Sequence, residues 1–369
     1  MKEFMLLIKP AGPDCNLRCS YCFYADKAAR FAAGPHRMND ETLERLVQSY
    51  LQADQQHYLF SWQGGEPTLM GLDFYRKVVE LQQEYCRDGR PVGNALQTNG
   101  CLLDEAWCSF LSENQWLVGI SLDGPKHLHD HYRKDAAGQG TFDRIMAGID
   151  ACRQQDVQFN LLTLLNDKNV TEPDLIFDFV LEHGFRYLQF IPCVEPGPQT
   201  HQVADYSITA QQYGDFLCHF FDRWLAHGPE KISVRMFDSV VSYCLTGRPT
   251  MCTFARSCDD YVVVEHNGDV FCCDFFVDDP YRLGSILEEP LPNLANNQVK
   301  QEFARDKRLL ATRCVVCRYK ELCWGGCIKH RGVAGGCSDQ PSYFCQAYKQ
   351  FYDHALGIFW QLAAQVQAT

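Results

Sequence analysis

Short apolar segments alternate with amphipathic segments over the first two hundred residues of this 369-residue chain. The apolar segments predict six β-strands, at residues 4–10, 57–63, 92–100, 116–124, 157–165 and 187–194. Helical periodicity fills the intervals, and residues 71–86 place on one face Phe74, Val78, Leu81 and Tyr85. Six strand–helix units predict an α/β fold with a parallel sheet, and six rather than eight predict a partial (β/α)6 TIM-like barrel.

Capping residues in the sequence predict where two of the helices begin or end. Asp40 is predicted to cap the N-terminus of the helix that follows it, and Gly184 to end another helix.

In parallel α/β folds, functional sites lie at the carboxyl ends of the strands. Three cysteines follow the first strand, the sequence GGEP follows the second, and SLDG ends the fourth. These segments are therefore predicted to share a pocket.

The chain changes character after the sixth strand. Helical patterns come first, and cysteines then become dense while apolar periodicity weakens. Asn267 and Gly268 predict the turn of a hairpin, and residues 342–365 predict a long amphipathic helix. The predicted domains are a barrel over 1–204, a helical connector over 205–249 and a cysteine-rich domain with a C-terminal helix over 250–369.

Cysteine is used far more than a cytoplasmic chain requires. The N-terminus lacks the features of a secretory signal, and no apolar segment is long enough to span a membrane, so a cytoplasmic location without membrane association is predicted. In that reducing compartment, twenty cysteines in clusters indicate metal or redox chemistry rather than disulfides. The net charge of −12 disfavours nucleic acid as a partner.

Cys15, Cys19 and Cys22 form the first cluster, directly after the first predicted strand. A four-iron, four-sulfur cluster is normally held by four thiolates, so a loop with three leaves one iron open to a substrate or cofactor. The alternatives are a zinc site that is completed by a distant histidine, and structural thiols that are buried in a core.

The segment CNLRCSYC resembles the cluster loop of radical S-adenosylmethionine (SAM) enzymes, and QGGEPTL at 63–69 is similar to the GGEP motif of that family. The resemblance implies that the open iron binds SAM, which is cleaved to a 5′-deoxyadenosyl radical. It also implies SAM-binding residues: Tyr21, Gly64, Gly65, Glu66, Ser121, Arg133 and Val194. Glu66 is suited to the ammonium of SAM and Arg133 to its carboxylate. The alternative for Arg133 is a surface role.

The C-terminal cysteines resemble those of the SPASM domain, which holds auxiliary iron–sulfur clusters. The resemblance implies one cluster on Cys252, Cys258, Cys273 and Cys327, and another on Cys314, Cys317, Cys323 and Cys345. With the N-terminal cluster, this implies three four-iron clusters. A pair of structural zinc sites has compatible spacing and stays open as an alternative. Nine cysteines are left unassigned: 86, 101, 108, 152, 193, 218, 244, 272 and 337.

Segments along the whole chain resemble the anaerobic sulfatase-maturating enzymes, among them FSWQGGEPTL, LQTNG, LVGISLDGPK, YRKDAAG and CCDFFV. These enzymes oxidise a Cys or Ser in a sulfatase Cys/Ser-x-Pro-x-Arg motif to formylglycine. The resemblance implies that Asp274 is the base, that Tyr24 and Gln63 face the peptide, and that an auxiliary cluster accepts an electron. It implies as partners an unfolded or nascent sulfatase and a reductant such as flavodoxin or ferredoxin. The alternative for Asp274 is a turn residue.

Two other functions compete with sulfatase maturation. One is a radical SAM maturase of a ribosomal peptide, which makes a thioether or carbon–carbon crosslink. Such enzymes often have an N-terminal leader-binding domain, and the first strand is predicted to begin too early for one. The other is a scaffold protein that is stabilised by structural zinc. In such a protein, GGEP and the loops at the strand ends would have no function.

Overall fold

The computed structural model describes residues 3–86, 89–197, 199, 202–333 and 340–368. Its strands are β1 (Met5–Lys9), β2 (Tyr58–Trp62), β3 (Val92–Thr98), β4 (Leu117–Ser121), β5 (Phe159–Leu165), β6 (Tyr187–Pro192), β7 (Ser233–Val234), β8 (Tyr261–Glu265), β9 (Asp269–Phe271) and β10 (Arg282–Ser285). Its helices are α1 (Asp40–Leu51), α2 (Leu72–Tyr85), α3 (Glu105–Glu113), α4 (Lys126–Tyr132), α5 (Phe142–Gln154), α6 (Pro173–Glu182), α7 (Ala210–His227), α8 (Arg235–Thr246), α9 (Leu291–Leu294), α10 (Gln298–Arg308), α11 (Thr312–Val315), α12 (Lys320–Cys323), α13 (Ile328–Gly332) and α14 (Cys345–Ala368).

The chain divides into two compact units, each built from several segments. The first unit comprises Met1–Ser121, Asp130–Phe159 and Asp259–Ala304. The second comprises Leu122–His129, Asn160–Cys258 and Arg305–Thr369. No described helix has the length and apolar character that crossing a membrane requires.

A mostly parallel sheet organises the first unit. Its strand order is β10-β9-β8-β1-β2-β3-β4, and β8 pairs in parallel with β1 so that Lys9 lies opposite Glu265. Leu6 and Ile8 of the central strand are fully buried. Trp62 at the end of β2 is also inaccessible, and its ring stacks on that of Trp116 with centroids 6.4 Å apart. This apolar layer supports the loops at the carboxyl ends of β1 and β2.

Aromatic packing organises the second unit, around the parallel strands β5, β6 and β7. Helix α7 begins with a capping box in which Thr209 and Gln212 satisfy each other's backbone donors. Phe221 on α7, Phe237 on α8 and Phe359 on α14 pack against one another with centroids 5.0–6.0 Å apart. Burial of these rings holds the C-terminal helix against α7 and α8.

The local predictions mostly agree with this structure. The six predicted strands appear as β1–β6, Gly184 follows α6 with a φ of +64°, and β8 and β9 form the predicted hairpin. The predicted cap of α1 is wrong by one residue, because the side chain of Asn39 accepts from the Thr42 N–H over 2.8 Å. Asp40 is the first helical residue and forms an exposed ion pair with Lys77.

The predicted buried face of α2 is correct at two of its four positions. Val78 and Leu81 are buried as predicted, but Tyr75 and Gln82 complete the face. Tyr75 packs its ring on Trp62 and Trp116, and its buried hydroxyl donates to the Pro67 carbonyl over 2.9 Å. A polar group that finds such a partner can enter the core, which apolar periodicity does not anticipate.

Candidate active site

The loop after β1 carries the three N-terminal cysteines and begins with a tight turn. The Gly12 N–H donates to the Lys9 carbonyl over 3.0 Å, and Gly12 has a φ of +50°. A Cβ at this position would lie 2.7 Å from Nδ1 of His266 and 2.9 Å from Cβ of His36. Only glycine therefore allows the chain to turn here and start the cysteine loop.

The structure brings Cys15, Cys19 and Cys22 into one loop. The Cys22 N–H donates to the Cys19 carbonyl over 3.0 Å, and the Cys15 sulfur accepts from the Leu17 N–H over 3.3 Å. Burial raises the pKa of the Cys15 thiol to about 12, with further contributions from the charges of Glu66, Cys19 and Cys22. Burial thus favours the neutral thiol of Cys15, and a metal ion bound at its sulfur would favour the thiolate.

The GGEP segment holds the cysteine loop through its backbone. The Gly65 N–H donates to the Gly12 carbonyl and the Glu66 N–H to the Asp14 carbonyl, each over 2.8 Å. A Cβ on Gly65 would lie 2.0 Å from the Asp14 oxygen. The close approach that requires glycine at this position is thus to the cysteine loop of the chain itself.

Glu66 is fully buried, and hydrogen-bond donors of the chain surround its carboxylate. Oε1 accepts from the Thr68 N–H (3.0 Å), the Thr68 hydroxyl (2.6 Å) and the Thr98 hydroxyl (2.7 Å), while Oε2 accepts from the Asn99 N–H (2.7 Å). Burial raises its pKa, although these hydrogen bonds act in the opposite direction. Asn99 in turn donates to Asn16 Oδ1 over 2.7 Å. Glu66 therefore connects β3 to the cysteine loop, and contact with SAM stays a prediction.

Arg133, one of the predicted SAM-binding residues, lies beside the same loop. The Arg133 guanidinium is buried and lies 5.6 Å from the Tyr21 ring centroid. The Arg18 N–H donates to the Lys134 carbonyl over 2.7 Å, which ties this segment to the cysteine loop. Ser121 ends β4 and accepts from the Gln97 amide over 3.3 Å. These contacts favour a site role for Arg133 over a surface role.

Val194 belongs to the second unit, where it is buried just after β6. Gly64, the remaining predicted residue, has a φ of +138° and sits against the Gly12 carbonyl.

The residues predicted to act on the peptide meet around Asp274. Gln63 Nε2 donates to Asp274 Oδ2 over 3.2 Å, and Asp274 Oδ1 lies 3.5 Å from the Cys273 sulfur. The Tyr24 hydroxyl donates to Glu265 Oε1. Burial, followed by the charge of Glu265, raises the pKa of Tyr24 well above its usual value, and the charge of Asp274 contributes as well. Tyr24 is therefore a protonated hydrogen-bond donor to Glu265.

Two charged residues of this site were missed by the sequence analysis. Glu265 is fully buried, and its Oε2 has no hydrogen-bond partner among the described residues. Lys9 is 1% exposed, and its ammonium lies 3.8 Å from the Tyr24 ring centroid. Lys9 is the last residue of β1 and Glu265 is the last residue of β8. This position at the carboxyl end of an apolar strand is the one sequence signal that indicates a site residue. Together they fix the orientation of the Tyr24 ring.

One predicted auxiliary ligand set lies together in the second unit. Cys314, Cys317, Cys323 and Cys345 line one small cavity, whose wall includes Tyr348 and Tyr352. Burial raises the pKa of Cys323 to about 11. No three His, Cys, Asp or Glu side chains in the described part of the chain converge on a single metal-ion position. Four thiols around one cavity without a carboxylate in its wall fit a four-iron cluster.

The other predicted set is divided between the units. Cys252, Cys258 and Cys327 belong to the second unit and Cys273 to the first. Among the unassigned cysteines, Cys108 on α3 and Cys152 on α5 are buried with their sulfurs 3.6 Å apart. Cys272 is buried behind Cys273, and Cys337 lies outside the described residues.

Family models define the class of protein that this fold and site represent. The radical SAM superfamily model matches residues 10–180, and SPASM, an iron–sulfur cluster-binding domain, matches residues 252–318. The chain is a radical SAM protein with an iron–sulfur cluster-binding domain.

It is 36% identical to the serine-type anaerobic sulfatase-maturating enzyme of Bacteroides thetaiotaomicron, over 96% of this chain and 89% of that protein. It is also 36% identical to the cysteine-type enzyme of Clostridium perfringens strain 13, over 96% and 97%. The chain belongs to the anaerobic sulfatase-maturating enzymes.

Solved structures agree with this family. Native anSMEcpe with bound AdoMet and the Cp18Cys peptide superposes with a TM-score of 0.92 at 35% identity, covering 99% of this chain and 100% of that chain. Streptococcus suis SuiB bound to the precursor peptide SuiA, at 14% identity and a TM-score of 0.63, shares the fold over 92% of this chain and 76% of that chain. The predicted fold class, the radical SAM enzyme class and the use of SAM and iron–sulfur clusters are confirmed.

Proposed function

We propose that this enzyme oxidises a Cys or Ser in a sulfatase Cys/Ser-x-Pro-x-Arg motif to formylglycine. Relatives of equal identity are named as cysteine-type and serine-type sulfatase-maturating enzymes, and a similar structure holds AdoMet and a peptide. The observation that carries the proposal is the contact of Gln63 with Asp274, beside Cys273. A carboxylate held at that position can accept a proton next to an electron acceptor.

Three groups of cysteines are proposed to hold three four-iron clusters. Cys15, Cys19 and Cys22 leave one iron open for SAM, and the two sets of four cysteines complete the auxiliary clusters. When bound, SAM and its cluster supply the radical that removes the Cβ hydrogen of the target residue. The SAM-contacting residues are proposed to be Tyr21, Gly64, Gly65, Glu66, Ser121, Arg133 and Val194. The structure supports Arg133 in particular, because its buried guanidinium can bind a carboxylate bidentately beside the cysteine loop.

The residues around Asp274 are proposed to position the target and remove its thiol or hydroxyl proton. Gln63 donates to Asp274 Oδ2, which orients the carboxylate and leaves Oδ1 to accept the proton. Tyr24 is held by Glu265 and Lys9 and is proposed to form one wall against the peptide. The substrate transfers its thiol or hydroxyl proton to Asp274, and its carbon radical loses one electron. A Ser substrate then gives the aldehyde directly, and a Cys substrate gives a thioaldehyde that water hydrolyses to the aldehyde.

The test is an anaerobic assay of the reconstituted full chain with SAM, a reductant, and peptides that carry Cys-x-Pro-x-Arg or Ser-x-Pro-x-Arg. We expect 5′-deoxyadenosine together with a peptide whose mass matches formylglycine, and no modification of the Ala-x-Pro-x-Arg control. The ratio of the Cys and Ser rates assigns the natural target. Flavodoxin or ferredoxin is the proposed physiological reductant and can replace the chemical reductant in the same assay.

Deoxyadenosine formation without aldehyde in either peptide would contradict the proposal. Screening cysteine-rich peptides for thioether or carbon–carbon crosslinks would then test the peptide-maturase function. The similarity to SuiB, at 14% identity, concerns the fold alone.

A further inference from the structure

Two buried cations lie between the C-terminal cysteine groups of the second unit. Lys307 near the end of α10 is fully buried, and Arg331 on α13 is 2% exposed. Buried lysine and arginine side chains nearly always have an anionic partner, because an uncompensated charge is costly to desolvate. Within the described residues, neither side chain forms an ion pair with a carboxylate. Their negative partners must therefore be of another kind.

The hydrogen bonds of both cations go to backbone carbonyls, several of which are next to cysteines. Lys307 Nζ donates to the Thr253 carbonyl over 3.0 Å and to the Gly326 carbonyl. Thr253 directly follows Cys252, and Gly326 directly precedes Cys327. Carbonyl oxygens are acceptors for the cation, but they carry no net charge to neutralise it.

Arg331 makes the same kind of contact on the other side. Its guanidinium donates to the carbonyls of Trp324 (2.8 Å), Leu309 (2.9 Å), Lys307 (3.1 Å) and Gly325 (3.1 Å). Trp324 directly follows Cys323, a member of the four-cysteine cavity. The two cations therefore share one buried position, joined through the Lys307 carbonyl.

Cysteines of both predicted ligand sets influence the pKa values of these two cations. Burial lowers the pKa of Lys307 and of Arg331, and the charges of Cys258 and Cys327 of one set act in the opposite direction on both. Cys323 of the other set also interacts with both cations, and Cys314 interacts with Arg331. No carboxylate of the described residues pairs with either cation, so the clusters that these cysteines are proposed to hold would supply the negative charge that both cations lack.

We propose that Lys307 and Arg331 are the counter-charges of the two auxiliary clusters and raise their reduction potentials. The proposal rests on the proposed function, which places clusters at these cysteines. Accepting one electron makes a cluster one charge more negative, and no bond changes in that step. A buried cation stabilises the more negative state, and the effect is strong because the surroundings screen it poorly. The pair therefore favours electron transfer from the substrate to the auxiliary clusters.

Variants can separate charge from scaffolding at Lys307. Lys307→Met removes both the charge and the hydrogen bonds, Lys307→Gln removes the charge but keeps an amide donor, and Lys307→Arg keeps the charge. Arg305→Gln removes one positive charge from an exposed position of the same helix and is the matched control.

The experiment is a redox titration of the reconstituted full-length enzyme, followed by electron paramagnetic resonance, with iron counted in each variant. We expect Lys307→Gln and Lys307→Met to lower the midpoint potentials of the auxiliary signals and to leave the SAM-binding cluster unchanged. Lys307→Arg and Arg305→Gln should match the wild type. If the Gln and Met variants lose auxiliary iron while Lys307→Arg retains it, the charge is required for cluster binding, which also supports the proposal.

Two results would overturn the inference. One is unchanged auxiliary potentials in a Gln or Met variant with a full iron count. The other is loss of auxiliary iron in all three variants, because the position would then require the shape of lysine rather than its charge. Wild-type enzyme without auxiliary signals would contradict the proposed function instead, so the two failures are distinguishable.

Discussion

Gln63 and Asp274 are 211 residues apart in the sequence, yet Nε2 of Gln63 donates to Oδ2 of Asp274 over 3.2 Å. Gln63 directly follows β2, and Asp274 follows β9 and the predicted cluster ligand Cys273. The contact therefore joins the GGEP segment to the cysteine-rich part of the chain within one compact unit. It gives Asp274 a defined orientation, on which the proposed proton transfer depends.

Asp274→Asn is expected to retain formation of 5′-deoxyadenosine and to lose most formylglycine formation. A positioned base contributes about 100- to 10,000-fold to a proton-transfer step, so the product rate should fall within that range. Mass spectrometry of the peptide and chromatography of the nucleoside measure the two rates. Asp279→Asn, at an exposed position in the same loop, is the control and should behave as wild type. Equal aldehyde yields from Asp274→Asn and wild type would place the base elsewhere.

Gln63→Ala is expected to slow formylglycine formation by about 10- to 100-fold, because a hydrogen bond to a charged group contributes about 1.5–3 kcal/mol. Deoxyadenosine should still form, so the ratio of nucleoside to aldehyde rises. Gln83→Ala, at an exposed position on α2, should leave this ratio unchanged. A Gln63 variant whose two products stay in wild-type proportion would show that Asp274 needs no such orientation.

Gly65→Ala is expected to displace the cysteine loop, since the added Cβ would lie 2.0 Å from the Asp14 carbonyl oxygen. Backbone cannot move aside as a flexible side chain can, so the variant should lose iron from the N-terminal cluster and lose SAM cleavage. Iron content and nucleoside formation are the measurements. Gly357→Ala on α14 meets no atom within 4 Å and should keep both. Normal SAM cleavage in Gly65→Ala would contradict the close approach.

Stability should depend on pH through His330. Burial lowers its pKa from 6.5 to about 3, and the charges of Lys329 and Lys307 act in the same direction. Below pH about 6.5, His330 binds a proton in the unfolded chain but not in the folded chain. The contribution of His330 to stability is therefore complete above that pH and falls as the pH drops toward 3. By pH 5 the loss amounts to about 2 kcal/mol.

His330→Phe removes this group from a site where its ring packs on Phe344 with centroids 5.1 Å apart. The free energy of unfolding, measured with denaturant between pH 5 and 7.5, should therefore depend less on pH in this variant than in the wild type. Exposed His127 provides the control variant His127→Phe, which should keep the wild-type slope. Parallel profiles for His330→Phe and wild type would show that His330 is protonated in the folded state.

The local structure could largely be predicted from the sequence, because it depends on nearest neighbours. Apolar segments of strand length became β1–β6, and Gly184 ended α6 because it adopts a φ of +64°. The cap of α1 was missed because Asn39 and Asp40 are both good caps, and only backbone geometry selects between them. Patterns of this kind identify an element but not its end residue.

The candidate site could be predicted only in part. The spacing of Cys15, Cys19 and Cys22 indicated a cluster loop by itself, since ligands that close together need no fold to bring them into one loop. Contact of Glu66 with SAM stays a prediction, but the sequence did not indicate that hydrogen bonds from the chain itself surround its carboxylate. The hydrogen-bond donors Thr98 and Asn99 come from the end of β3, and the GGEP motif around Glu66 does not indicate them.

The sequence by itself determined the strand–helix order, the cysteine clusters and the family. Only the tertiary structure decided that Lys9 and Glu265 hold Tyr24, and that Lys307 and Arg331 are buried between cysteine groups. A charged residue in a sequence is most often a surface residue, because desolvating its charge is unfavourable. Whether such a residue is instead buried depends on partners supplied from elsewhere in the chain, and these partners meet only when the chain has folded.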